Sequence, residues 1–126
     1  MLQGGAFLDG ISAAWPSAVA AQLRRAGEAP YPIAVGAVAA EHGLVLDHLL
    51  PAWLNAFVSS LVSVAVRLVP LGQAAGLRTL AALHPVMAET AARAAASTLD
   101  ALGSATILSD IASMRHEQQY SRVFRT

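Results

Sequence analysis

The longest uncharged stretch of the chain organises the rest of it. From His48 to Val66 there is no formal charge beyond whatever His48 carries. Leu54, Phe57, Val58, Leu61, Val62, Val64, Ala65 and Leu68 spread over most of a helix circumference, the pattern of a helix enclosed by others. One polar seam interrupts it: Asn55, Ser59, Ser63 and Arg67 recur every four residues and stack on one face. The small hydroxyls of that seam permit close approach of a second helix. Arg67, at its foot, needs an acceptor. The spacing predicts a helix over roughly 46–69, ended by Pro70, which disfavours helical backbone in the residue before it.

The same stretch has the length of a membrane span, about 20 residues. The seam, Pro51, the lack of an aromatic belt and the lack of a one-sided positive bias favour the central helix of an all-α domain. A small membrane-associated helical protein built around residues 48–66 is the alternative.

The remaining pattern is also helical. Residues 5–14 read as the end of a helix weakened by Gly4, Gly5 and Gly10. Pro16 suits a first helical position, and Ser17 to Ala26 continues to Arg24, Arg25 and a closing Gly27. Ile33 to His42 is a small-residue helix stopped by Gly43. Gln73 to Leu83 forms the next helix, which His84-Pro85 is expected to interrupt. Pro85 to Leu102 follows, with Val86, Thr90, Ala94, Leu99 and Leu102 as its stripe and Gly103 as its end. A last short helix runs from Asp110 to Gln119, with Ser109 as candidate N-cap. No alternating β-branched run bounded by hairpin turns occurs. The expected fold is all-α, a bundle of about five to six helices in a single domain over 1–126, ending in a partner-docking tail at 113–126.

Composition narrows the function. At 126 residues the chain is one domain at most, and can bury about two-thirds of its unfolded surface. An apolar fraction of 56% and a mean hydropathy of +0.53 are high for a free-standing monomer, so some apolar surface is expected to meet a partner. Eight basic residues balance eight acidic ones, which leaves no basic field for nucleic acid. All eight basic residues are Arg; without Lys there is no P-loop. Without Cys there are no disulfides, thiolate metal sites or thiol nucleophiles. The N-terminus does not read as a signal peptide, and the expected location is the cytoplasm.

Catalytic chemistry finds no support. No two of His42, His48, His84 and His116 stand three or four apart, so none can share a helix face as a ligand pair. Glu41-His42 and Asp47-His48, six residues apart across Gly43, could converge on a metal only through a particular turn, and read rather as helix-end polar residues near solvent. No nucleophile elbow is present, and Gly72 with Gly76 is a GxxxG outside an apolar 20-mer. The expectation is a protein that is not an enzyme, with no metal site and no cofactor.

The C-terminal segment SMRHEQQYSRVFRT is different. It gathers Arg115, Arg122 and Arg125 with Met114, Tyr120 and Phe124, residue types enriched at interface hot spots. Tyr120 and Phe124, four apart, would share one helical face. An end of this composition is expected to dock on a partner.

Three segments together carry a resemblance: YPIAVGAVAAEHGL at 31–44, AVRLVPLGQ at 65–73 and LGSATILSDIASMRHEQQYSRVFRT at 102–126. They resemble the C-terminal half of the UreF family of urease accessory proteins, a likeness that runs from about Ala6 onward. The resemblance implies an all-α protein, dimeric in its full-length form and without catalytic activity. It implies that UreD (also called UreH) and the GTPase UreG are partners, in a complex that delivers nickel to apo-urease. Nickel is then handled by the complex and is not expected to be bound by this chain. Carried over, Met114, Arg115, His116, Gln119, Tyr120, Arg122, Phe124 and Arg125 match the tail that orders on UreD. Arg67 and Gln73 match the family's central signature and imply a surface near the dimer or GTPase contact. Ser59 and Ser63 would border a water-filled nickel passage. After Gln73 the chain reads Ala74, Ala75, Gly76, Leu77 where the family commonly shows Thr-x-Gly-Gln. Family members are longer, and an upstream helical half is expected to belong with this one, lost by truncation or by a misplaced start.

Overall fold

The computed structural model describes residues 2–27, 29–69 and 71–120. Its elements are α1 (Leu2–Ala14), α2 (Ala18–Ala26), α3 (Tyr31–Glu41), α4 (Leu46–Leu68), α5 (Gly72–Ala95), a single 3-10 turn (Leu99–Ala101) and α6 (Ile107–Glu117). The fold is all-α, with no strand among the described residues. The chain forms two compact units, Met1–Ala96 and Ser97–Thr126.

In the first unit α1, α2 and α3 pack mutually around small side chains. Leu8, Ala20, Ala29, Ala34 and Val38 form the buried core, with Phe7, Ile11 and Leu23 against it. Alanines at the contacts bring the helices close. Of the three glycines expected to weaken α1, Gly4 and Gly5 are required by close packing, whereas a Cβ on Gly10 would meet nothing. A Cβ on Gly4 would collide with the Ala29 carbonyl, and one on Gly5 would stand 3.0 Å from the Arg24 guanidinium. Arg24 bridges to Asp9 across the α1–α2 contact, Nε to Oδ1 at 2.9 Å; both side chains are exposed, so the pair adds about 0–1 kcal/mol.

The start of α2 is capped twice. Ser17, not Pro16, sets the boundary: its hydroxyl accepts from the Ala20 N–H at 2.9 Å. The Glu41 carboxylate at the end of α3 accepts from Ser17 Oγ at 2.5 Å, Ala18 N at 2.8 Å and Val19 N at 3.2 Å. An anion at a helix N-terminus is favoured by the unpaired amides and the helix dipole. Gly43 closes α3 as its sequence position suggests. It adopts φ +70°, and the amides of Gly43 and Leu44 return to the carbonyls of Ala40 and Ala39, at 3.1 and 2.9 Å.

The second layer of this unit is the α4–α5 hairpin. α4 begins and ends where its pattern places it, with Val69 as an extended C-cap, and Pro51 lies inside its second turn. Tyr31 links α4 to the first layer: its ring lies 5.5 Å from Phe7, edge to face, and 5.0 Å from Trp53. α5 departs from expectation. It runs unbroken through His84-Pro85 for 24 residues. Proline removes one amide and crowds the carbonyl four residues back, but Ala81 and Pro85 both lie on the exposed side, where water satisfies that carbonyl. Continuity carries one stripe, Gly76, Leu80, Leu83, Met87 and Ala91, along the inner face. The stripe expected from Val86 is therefore misplaced; Val86 is 57% exposed. The helix also stops at Ala95 rather than Leu102, giving way to extended backbone at Thr98.

In the second unit α6 starts three residues earlier than predicted. Thr106 holds the N-cap position and its hydroxyl donates to the Asp110 carboxylate at 3.3 Å, so Ser109 lies within the helix.

Candidate interaction surfaces

Two surfaces collect the residues that the sequence singles out. The first is a groove between α4 and α5. α4 packs its seam side, rather than its most apolar side, on α5. Ser59, Val62, Ser63, Val66 and Arg67 from α4 face Gln73, Gly76, Leu77 and Leu80 from α5 across a cavity of about 360 Å³. Gly76 sets the approach: a Cβ there would lie 2.8 Å from Val66 Cγ2 and 3.3 Å from Val62 Cγ1. The hairpin that allows this contact passes through Gly72, whose φ of +69° suits only glycine comfortably. Ser59, Ser63, Arg67 and Gln73 thus come together, while Asn55, the fourth member of the seam, does not line the groove.

The consequence for α4 is an outward apolar stripe. Phe57, Leu61 and Leu68 are each more than half exposed, and no residue of α4 is buried. The helix is long and apolar enough to cross a membrane by length and composition. In this unit it is covered on one side, by α5.

The second surface is α6 with the residues that follow it. Ile107, Ile111 and Met114, at i, i+4 and i+7, line one face, with Leu108 and Arg115 along its edge. Ile107, Leu108 and Met114 are 60% exposed or more. Three of these positions, Ile107, Leu108 and Ile111, lie upstream of the segment read as the tail. Their apolar spacing was the signal available for them, hidden by placing the helix start at Asp110. In the last turn of α6, His116 Nδ1 lies 3.1 Å from Gln119 Oε1. Tyr120 is fully exposed and stands in a bend three residues past the helix end; the helical face expected for it with Phe124 lies outside the described residues. Arg122, Phe124 and Arg125 lie outside the described residues, as does Pro70.

Sequence reasoning also missed the role of Glu41. Its carboxyl is held below its ordinary value, first by the Ser17 hydroxyl and, against the opposing effect of desolvation, by the amides of Val19 and Ala18 and the neighbouring His42. Glu41 is thereby a structural device of the α2–α3 junction. Among the described residues no three of His, Cys, Asp and Glu converge to hold a metal ion.

Comparison with known proteins bears on both surfaces. The UreF family model matches residues 1–84, which include the whole groove. A urease accessory protein UreF from Rhodopseudomonas palustris is 53% identical over 126 residues, covering 98% of the chain and 53% of the relative. Its counterpart from Agrobacterium fabrum is 53% identical over 100% of the chain and 55% of the relative. That from Methylobacterium radiotolerans is 50% identical over 98% of the chain and 55% of the relative. The chain therefore spans about half the length of the curated relatives it matches. No solved structure matches it. A family match across the first two layers of helices, with about half the residues identical into the C-terminal unit, shows that the chain belongs to the UreF family.

Proposed function

We propose that the chain acts in urease maturation as a helical adaptor without catalytic activity of its own. In this reading it bridges UreD (UreH) and the GTPase UreG in the cytoplasmic complex that inserts nickel into apo-urease. Nickel is the cargo of that assembly, and in its full-length form the protein pairs as a homodimer. The names of its relatives support the urease connection. The observation that carries the adaptor role is the exposed apolar face of α6, continued by Tyr120, on a unit compact by itself. Apolar and aromatic side chains concentrated with Arg115 suit a docking surface better than a solvated chain end.

Tyr120, Phe124 and the arginines at 115, 122 and 125 are the anchors on the UreD side. Met114, His116 and Gln119 complete that surface. Arg67 and Gln73 belong to the GTPase or dimer side. Replacing Tyr120 and Phe124 together by Ala should weaken capture by a UreD partner by about 1–4 kcal/mol, the range of hot-spot truncation. Undiminished capture by the double variant would count against the tail. One observation favours a second reading, the exposed stripe of α4. A membrane-associated helix would stay with the pellet after carbonate washing, whereas the adaptor is recovered in the supernatant.

A further inference from the structure

The α4–α5 groove has a polarity that the packing of two helices does not require. Its apolar lining is Val62, Val66, Leu77 and Leu80, and its polar lining is Ser59, Ser63, Arg67 and Gln73. No side chain among the described residues hydrogen-bonds or ion-pairs with any of these four polar groups. The guanidinium also has no acid within reach on its own hairpin. The one acidic residue of α4 is Asp47, twenty residues away, about 30 Å along the helix; that of α5 is Glu89, sixteen residues from Gln73, about 24 Å. Among the described residues, Arg67 is therefore the one charged group that lines the groove. It repels a bare divalent cation and attracts an anion.

The donor set specifies which anion. A guanidinium offers a planar fork that matches a carboxylate, and serine hydroxyls one turn apart with a carboxamide opposite supply neutral donors around it. With one cation in the lining, charge balance calls for a monoanion. The apolar side chains that share the lining call for a ligand whose charge adjoins an apolar body. The groove is open to the surface, with a volume of about 360 Å³.

We propose that this groove receives an acidic side chain presented by a protein partner, its carboxylate paired with Arg67 and hydrogen-bonded by Ser59 and Ser63, and a neighbouring apolar side chain seated on Val62, Val66, Leu77 and Leu80. The inference rests on the adaptor reading for the existence of a partner and adds the chemistry that the partner must offer.

The test uses the full chain and three probes: N-acetyl-Leu-Glu-Leu-amide, its Gln counterpart, and sodium acetate. Binding is followed by NMR at the Arg67 Nε–H and the Gln73 side-chain amide. The Glu peptide is expected to shift both signals to saturation, and the Gln peptide to bind about tenfold more weakly, since charge-assisted pairing is lost. Arg67→Gln, checked for helicity by circular dichroism, should abolish the discrimination between the two peptides; Arg67→Lys should keep part of it. Equal binding of the two peptides, no binding of either, or discrimination that survives Arg67→Gln would overturn the proposal. Acetate saturating the same signals as tightly as the Glu peptide would overturn the partner segment in favour of a small-anion site. The adaptor reading fails separately: a wild-type chain that captures no urease partner sinks it, whatever the peptides do.

Discussion

Replacing Gly76 by Ala tests whether α4 and α5 meet as described. On helix propensity alone the change should stabilise the protein, since Ala exceeds Gly by about 0.8–1.0 kcal/mol in a helix interior. The structure reverses the sign. The new methyl would stand 2.8 Å from Val66 Cγ2 and 3.3 Å from Val62 Cγ1. Both neighbours are β-branched residues on a helix, with one strongly preferred rotamer, so they cannot swing aside and the helices must separate. Overpacking of this kind costs about 1–3 kcal/mol, which leaves a net loss of up to about 2 kcal/mol after the propensity gain. Gly10 in α1 and Gly36 in α3 are the controls. A Cβ at either meets nothing within 4 Å, so Gly10→Ala and Gly36→Ala should each stabilise by about 0.5–1 kcal/mol. Urea unfolding of the three variants, read as midpoint shifts at constant slope, measures the contrast. If Gly76→Ala is as stable as Gly10→Ala, the close approach at Gly76 is wrong, and the groove beside it is wrong with it.

Further outcomes follow from the same geometry. Leu8 is wholly buried and is the largest such side chain, so Leu8→Ala should cost about 2–5 kcal/mol in chemical denaturation. The Glu41 carboxyl sits below its ordinary value of 4.5, so the stability it contributes is complete above that pH and is lost as pH falls through the lower folded value. Wild type and Glu41→Gln should therefore differ in urea midpoint by a constant amount near neutrality and converge in acid; a gap that widens in acid would refute the cap. Ile111→Asp places a charge in the middle of the α6 stripe. It should reduce capture by a UreD partner at least tenfold while leaving the unfolding of the first unit unchanged.

The helices were legible in the sequence where local chemistry decides them. Gly43 ends α3 through a left-handed turn that glycine favours, and Pro70 fixes the end of α4 through its effect on Val69. Pro85 misled because a proline penalty is local, while the tolerance for it comes from the solvent-facing side on which Ala81 and Pro85 happen to lie. The stripe on α5 was missed for the same reason, since it is continuous only if the helix is. Of the groove, one wall was readable: the four-residue recurrence of Ser59, Ser63 and Arg67 is a property of a single helix. That Gln73 and Gly76 form the other wall depends on the hairpin at Gly72 and could not be read from spacing. The capping of α2 by Glu41 joins residues 24 apart, beyond any local pattern.

We propose that the chain docks on a urease-maturation partner through its C-terminal unit. Co-expression of the 126-residue chain with a UreD partner, followed by affinity capture and size exclusion, tests it most directly. The account predicts a soluble complex that co-elutes and that Tyr120→Ala with Phe124→Ala disrupts. A chain that elutes folded and alone beside a competent UreD partner would contradict it.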